Sequence, residues 1–128
     1  MKSIRDRLLA PGSPLANIEG VLQDLQQQLS LPGSCGCMLG TNIADFDTSE
    51  VEIADILRHH LQSLEDAYCT AIARAIQAGE LNSAIKPRNL ARMLLCTTQE
   101  MALLSRVFED ETFLHSAVEA TMTFLKTT

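Results

Sequence analysis

The sequence predicts an all-α fold: a bundle of about five to six helices packed around one long central helix. Three observations carry this. Ala54, Leu57, Leu61, Leu64, Tyr68, Ala71 and Ala75 recur at steps of three and four, which places them on one helical face. The same spacing returns around residues 14–29, 87–108 and 111–126. Nowhere do apolar and polar residues alternate with the period of two that a strand requires.

Residues 1–9 read as the end of a helix, with Ile4, Leu8 and Leu9 on one side. No cap is evident at its start, so this helix is expected to begin upstream of Met1 or to be cut there. Pro11-Gly12-Ser13-Pro14 breaks it. Ser13 can cap the next helix and Pro14 suits its first position. That helix carries Leu15, Ile18, Leu22, Leu25 and Leu29, and Leu31-Pro32-Gly33 ends it. A short helix is expected over 35–46, weakened by Gly36 and Gly40.

The long helix is expected from Ser49 to Ala78. Ser49 and Glu52 have capping-box spacing, and Asp47 and Glu50 repeat it one register earlier. Gly79 stands where a left-handed C-terminal residue is wanted. Ile53, Ile56, His60 and Ala67 widen its apolar face. Pro87 opens a helix to about residue 108 with two stripes. Leu90, Leu94, Thr97, Met101 and Leu104 form one, and Ala91, Leu95, Thr98, Ala102 and Ser105 the other. Two buried sides need two partners, the chain's own core and a second surface. Glu109-Asp110-Glu111 marks a break and places acids where the dipole of the last helix favours them. That helix shows Leu114, Ala117, Val118, Thr121 and Leu125, with Phe113 and Phe124 beside them.

The 128 residues suit a single domain spanning 1–128, and 46% hydrophobic content suits a packed core. No apolar run approaches a membrane span, and the first residues lack a signal-peptide centre, so a cytoplasmic protein is expected. A net charge of −6 gives little footing on phosphate backbones. Cys69 and Cys96 read as small core residues, and Cys35 and Cys37 match no common zinc spacing. There is no Gly-rich phosphate loop, Gly-x-Ser-x-Gly or His-Glu-x-x-His, so no enzyme, catalytic residue, cofactor or metal is expected. Asp55 with His59, and Glu111 with His115, are spaced to share a metal but read as solvated pairs.

One series of motifs runs in order along the chain: Gly36-Cys37-Met38-Leu39, Leu64-Glu65, Ala75-x-x-Ala78-Gly79-Glu80-Leu81 and Pro87-x-x-Leu90-Ala91-x-x-Leu94-Leu95. It resembles the C-terminal domain of TetR/AcrR-type transcriptional regulators over most of residues 35–105. The resemblance implies an all-helical effector-binding domain and a homodimer, in which the last two long helices pair with their mates as a four-helix bundle. There are two departures. The family's DNA-reading helix-turn-helix is absent, residues 1–9 standing where the helix from it would end. Glu100 occupies a position where many members carry glycine.

The same resemblance places an effector against the long helix. The candidate contacts are Met38, Asn42, His60, Leu64, Tyr68, Met93, Thr97 and Met101, soft or polar residues on expected inner faces. Candidate dimer contacts are Leu95, Thr98, Ala102, Leu114, Val118 and Thr121. The expected function is therefore the ligand-sensing and dimerisation domain of a repressor. Its effector would be a small, mostly apolar organic molecule, and it would reach operator DNA only through a domain absent from this chain. The alternatives are a stand-alone helical dimerisation module, and last a small helical enzyme or metal protein.

Overall fold

The computed structural model describes residues 3–30, 51–105 and 111–127. Within them the chain forms α1 (Ile4–Leu8), α2 (Pro14–Ser30), α3 (Val51–Gln77), α4 (Pro87–Leu104) and α5 (Glu111–Thr127), with no strand. The all-α expectation holds. The short helix expected over 35–46, the capping pairs at Asp47 and Ser49, and the break at Glu109-Asp110 lie outside the described residues. α4 ends at Leu104, short of the expected residue 108, and the Ser105 hydroxyl donates to the carbonyl of Ala102 at 2.8 Å.

The helix ends follow local chemistry. α1 does have a start: the Ser3 hydroxyl accepts from the Asp6 amide at 3.1 Å, correcting the expectation of an uncapped helix. Ser13 caps α2 by accepting from the Ala16 amide at 3.1 Å. A second cap for the same helix comes from far along the chain. The Glu80 carboxylate accepts from the Leu15 amide at 3.1 Å and from the Ser13 hydroxyl. An anion at a helix N-terminus is favoured by unpaired amides and by the helix dipole. α3 ends in a Schellman turn. Gly79 takes φ 77°, its amide bonds the Ile76 carbonyl, and the Glu80 amide bonds that of Ala75.

α2, α3 and α4 pack mutually, with the most extensive pairing between α3 and α4; α1 lies against α2 and α3, and α5 against α2. The core holds Ile18, Val21 and Leu22 of α2, Tyr68 and Ile72 of α3, Leu94 of α4 and Leu125 of α5. Ala67, Ala71 and Ala75 on α3, with Ala91 and Ala102 on α4, are buried too. Two expected faces change. The apolar face of α3 is buried only from Leu64 onward, and Ile56 is 69% exposed. The buried face of α4 combines members of both stripes, Leu90, Ala91, Leu94, Thr98, Met101 and Ala102. Periodicity marks an apolar surface, but the neighbouring helices decide which part of it turns inward. Cys96, expected in the core, is exposed, and Cys69 is half-buried.

A charged clamp reinforces the α3–α4 pair. Glu65 is 8% exposed, and its carboxylate takes Arg88 Nη1 at 2.9 Å, Arg92 Nε at 3.1 Å and Gln62 Nε2 at 3.1 Å. Arg88 also reaches Asp66 at 2.7 Å. Burial pushes the Glu65 carboxyl up, but the bonds from Arg88, Arg92 and Gln62 outweigh it and hold the group below the ordinary glutamate value. Arg88 and then Gln62 likewise lower Asp66.

Two stability effects follow. A depressed carboxylate stabilises the fold above its unfolded pKa of ~4.3 and loses that contribution as pH falls through the folded value. Glu65→Gln should therefore cost about 1–2 kcal/mol at neutral pH, kept modest by the solvent around both arginines. The deficit should shrink below about pH 4, as read by urea melts of both proteins across pH. Gly79→Ala should cost about 1 kcal/mol from the left-handed backbone alone, because nothing lies within 4 Å of the added methyl. A thermal melt unchanged by that substitution would contradict this account of the turn.

Candidate functional site

The helices leave a cavity of about 300 Å³ where α1, α2, α3 and α4 meet. Its floor is apolar: Val21 and Leu25 from α2, Leu64 and Tyr68 from α3, and Thr98 from α4. Its exposed rim comes from Ser3, Ile4 and Arg5 at the start of α1 and from His60 on α3. Ser63 and Gln99 complete the wall. Arg5 Nη1 donates to the Ser63 hydroxyl at 3.0 Å, so the rim of the cavity also joins α1 to α3. The Thr98 hydroxyl is spent on its own helix, at 3.1 Å from the Leu94 carbonyl and 3.0 Å from that of Leu95. Gln99 Oε1 is buried with no hydrogen-bond partner among the described residues. An apolar chamber with a few convergent polar groups is the ordinary form of a small-molecule site.

The expected ligand contacts divide. His60, Leu64 and Tyr68 come together on this cavity. Met101 is buried in the core away from its lining. Met93 is 38% exposed, and the Thr97 hydroxyl donates to the Met93 carbonyl at 2.9 Å, so both stand on the outward side of α4. Met38 and Asn42 lie outside the described residues, as do Cys35 and Cys37. The α1 contribution was missed because a five-residue helix carries almost no periodic signal. Ser3-x-x-Asp6, a capping pattern, was the available clue.

The expected dimer contacts divide as well. Thr98 lines the cavity, and Ala102, Leu114 and Val118 are buried inside a single chain, so these four have no area to offer a mate. Leu95 and Thr121 are half-buried. Leu95 borders a second, more open cleft of about 350 Å³ with Leu57, Leu61 and Glu65. α5 turns Leu114, Val118, Met122 and Leu125 inward. It is fixed to α2 by Lys126–Glu19 at 2.9 Å and by Gln26 with His115 at 3.4 Å. Its outward face carries Phe113, Ala117, Ala120 and Phe124 at steps of four, three and four, Phe124 being 49% exposed. α4 repeats those steps outward with Met93, Thr97, Glu100 and Leu104, where Glu100 reaches solvent.

Of the residues spaced for a metal, Asp55, His59 and His115 have other partners. Asp55 binds Arg58 at 2.9 Å, while His59 meets only its backbone carbonyl, at 3.2 Å. His115 lies 3.4 Å from Glu119. Among the described residues no cluster of His, Cys, Asp and Glu could hold a metal ion, and no helix is long and apolar enough to cross a membrane.

α1 is bound to the bundle by Leu8, buried in the core, and by arginines. Arg7 pairs with Asp24 and reaches the Gly20 carbonyl at 3.3 Å, and Arg74 on α3 caps the end of α1 at the Leu9 carbonyl, 3.3 Å away. A short helix, mostly exposed but anchored in the core by Leu8, thus forms one lip of the cavity.

No curated protein and no solved structure matches the sequence. The family model described as "Tetracyclin repressor-like, C-terminal domain" matches residues 14–121, from the first turn of α2 into α5. With the helical order and the helix-walled cavity in place, that match over most of its length shows that the chain belongs to the tetracyclin repressor-like C-terminal domain family.

Proposed function

We propose that this chain is the ligand-sensing and dimerisation domain of a TetR-type transcriptional repressor acting in the cytoplasm. A small, mostly apolar effector binds in the cavity between α1, α2, α3 and α4. The observation that carries this reading is the makeup of the cavity wall: an apolar floor from the packed helices and a rim from α1. A ligand seated there touches both the core and α1, the helix nearest the start of the chain. It can favour one position of α1 only by as much as its affinity differs between positions. Operator DNA is reached through a DNA-reading domain joined to α1, and the domain itself performs no catalysis.

Filling the space tests the site. Ser63→Phe and Thr98→Leu should each lower affinity for a bound effector at least tenfold, a loss of about 1.4 kcal/mol, while circular dichroism stays that of the folded protein. Native mass spectrometry of freshly purified protein supplies the retained molecule for that measurement. Affinity unchanged in both folded variants would remove the cavity as the site.

Pairing of two copies uses the outward faces of α4 and α5, where Met93 and Phe124 are substantially exposed in the single chain. Met93→Glu and Phe124→Glu should yield folded monomers, since both side chains are substantially exposed in the single chain and charge is costly only where a mate covers it. Val118→Glu, on the inward face, should instead unfold the domain. Sedimentation at micromolar concentration separates the outcomes, and a Phe124→Glu protein that remains dimeric would move the interface elsewhere.

A further inference from the structure

We infer that the effector is an apolar carboxylic acid whose anion is received by Arg5, with His60 beside it on the rim. This rests on the effector-cavity reading above and narrows its chemistry. The chain carries 16 acidic residues against 10 lysines and arginines, yet among the described residues no Asp or Glu lines this cavity, while an arginine and a histidine do. In an acidic protein, a chamber whose described wall holds no carboxylate and has a guanidinium at its mouth is suited to an anion entering from solvent.

The state of Arg5 points the same way. Arg7, Arg58, Arg88 and Arg92 each pair with a carboxylate of the chain. Arg5 bonds only a neutral hydroxyl, that of Ser63, among the described residues. Asp66 feels its charge from a distance, but that carboxylate is held by Arg88. Guanidinium and carboxylate match as a planar, two-bond pair that is stronger than a bond to a hydroxyl. An entering carboxylate can therefore displace Ser63 from Arg5, and the released hydroxyl can then donate to the same anion. Below the rim, Val21, Leu25, Leu64 and Tyr68 accept an aliphatic or aromatic body. At about 300 Å³ the chamber is at the small end of ligand pockets, which favours a medium-chain or single-ring acid. Gln99 Oε1, buried and unpaired among the described residues, offers one acceptor for a hydroxyl on that body.

The test compares decanoate with decan-1-ol by titration calorimetry on the full chain at neutral pH. The two probes share a body and differ in charge. Decanoate should bind about tenfold more tightly than the alcohol, and rising salt should weaken only the acid. Arg5→Gln should bring the two probes to near parity through a loss for decanoate alone, and Arg5→Lys should keep most of the preference. Arg5 is exposed, so both variants should retain wild-type circular dichroism. Equal binding of acid and alcohol, or a preference that survives Arg5→Gln, overturns the anion inference. If both probes then lose affinity in Ser63→Phe, the cavity reading stands without it. If neither probe binds the wild-type chain, the carboxylic acid is likewise excluded. A retained molecule whose binding Ser63→Phe does not change would then overturn the cavity as well.

Discussion

The bundle depends on keeping α3 and α4 in register, and a buried carboxylate governs that. Alanines on the facing sides of the two helices set little by way of register, because small side chains allow close approach at several neighbouring offsets. Glu65 removes that freedom. Out of water, its charge is tolerable only where Arg88, Arg92 and Gln62 meet it together. A slide of one turn would leave the carboxylate at most one of its two arginines, which are themselves one turn apart. The clamp thus selects one alignment among several that the apolar contacts alone would accept, and that alignment places Leu64 and Tyr68 of α3 beside Thr98 and Gln99 of α4 around a common space.

The cavity and the clamp divide the pair between two tasks. Toward its turn, the hairpin of α3 and α4 is closed by Ala71, Ala75, Leu90 and Ala91, all buried. Farther from the turn, larger side chains and α1 share the space, and the wall includes Gln99 Oε1, buried with no hydrogen-bond partner among the described residues. Such an atom weakens a purely structural core, where burial of polar groups is normally matched by partners.

Much of this was legible in the sequence because it was local. Breaks at Pro11-Gly12-Ser13-Pro14 and Gly79, with proline at Pro14 and Pro87, delimit helices through the chemistry of a few adjacent residues. The inward face of α5 was half legible: Leu114, Val118 and Leu125 were recognised as apolar, but Met122 was not singled out, and the choice between core and interface could not be made from one helix. The same held for α4, where both stripes contribute to the burial. The clamp was readable in principle, since Arg88 and Arg92 are one turn apart and Leu64-Glu65 sets an acid beside a core residue. Its significance lies in the meeting of two helices, which periodicity does not express. The cavity was least accessible to this reasoning, because a void is what side chains from four helices fail to fill. His60, Leu64 and Tyr68 could be named from one face of one helix, whereas Arg5, Val21 and Gln99 depend on tertiary placement.

The Glu80 cap has a consequence for cooperativity. A carboxylate just past the end of α3 serves as an acceptor for the first turn of α2, although Glu80 and Leu15 are 65 residues apart in the chain. Fraying at the end of α3 would draw Glu80 away and leave the Leu15 amide and Ser13 hydroxyl without that acceptor. Fraying at the start of α2 would equally strip Glu80 of its donors. Helix ends usually open one at a time and at little cost. Here a beginning and an end distant in sequence share one group, so they open together, and the side of the bundle that would otherwise be the easiest to unravel is joined to the stability of its centre.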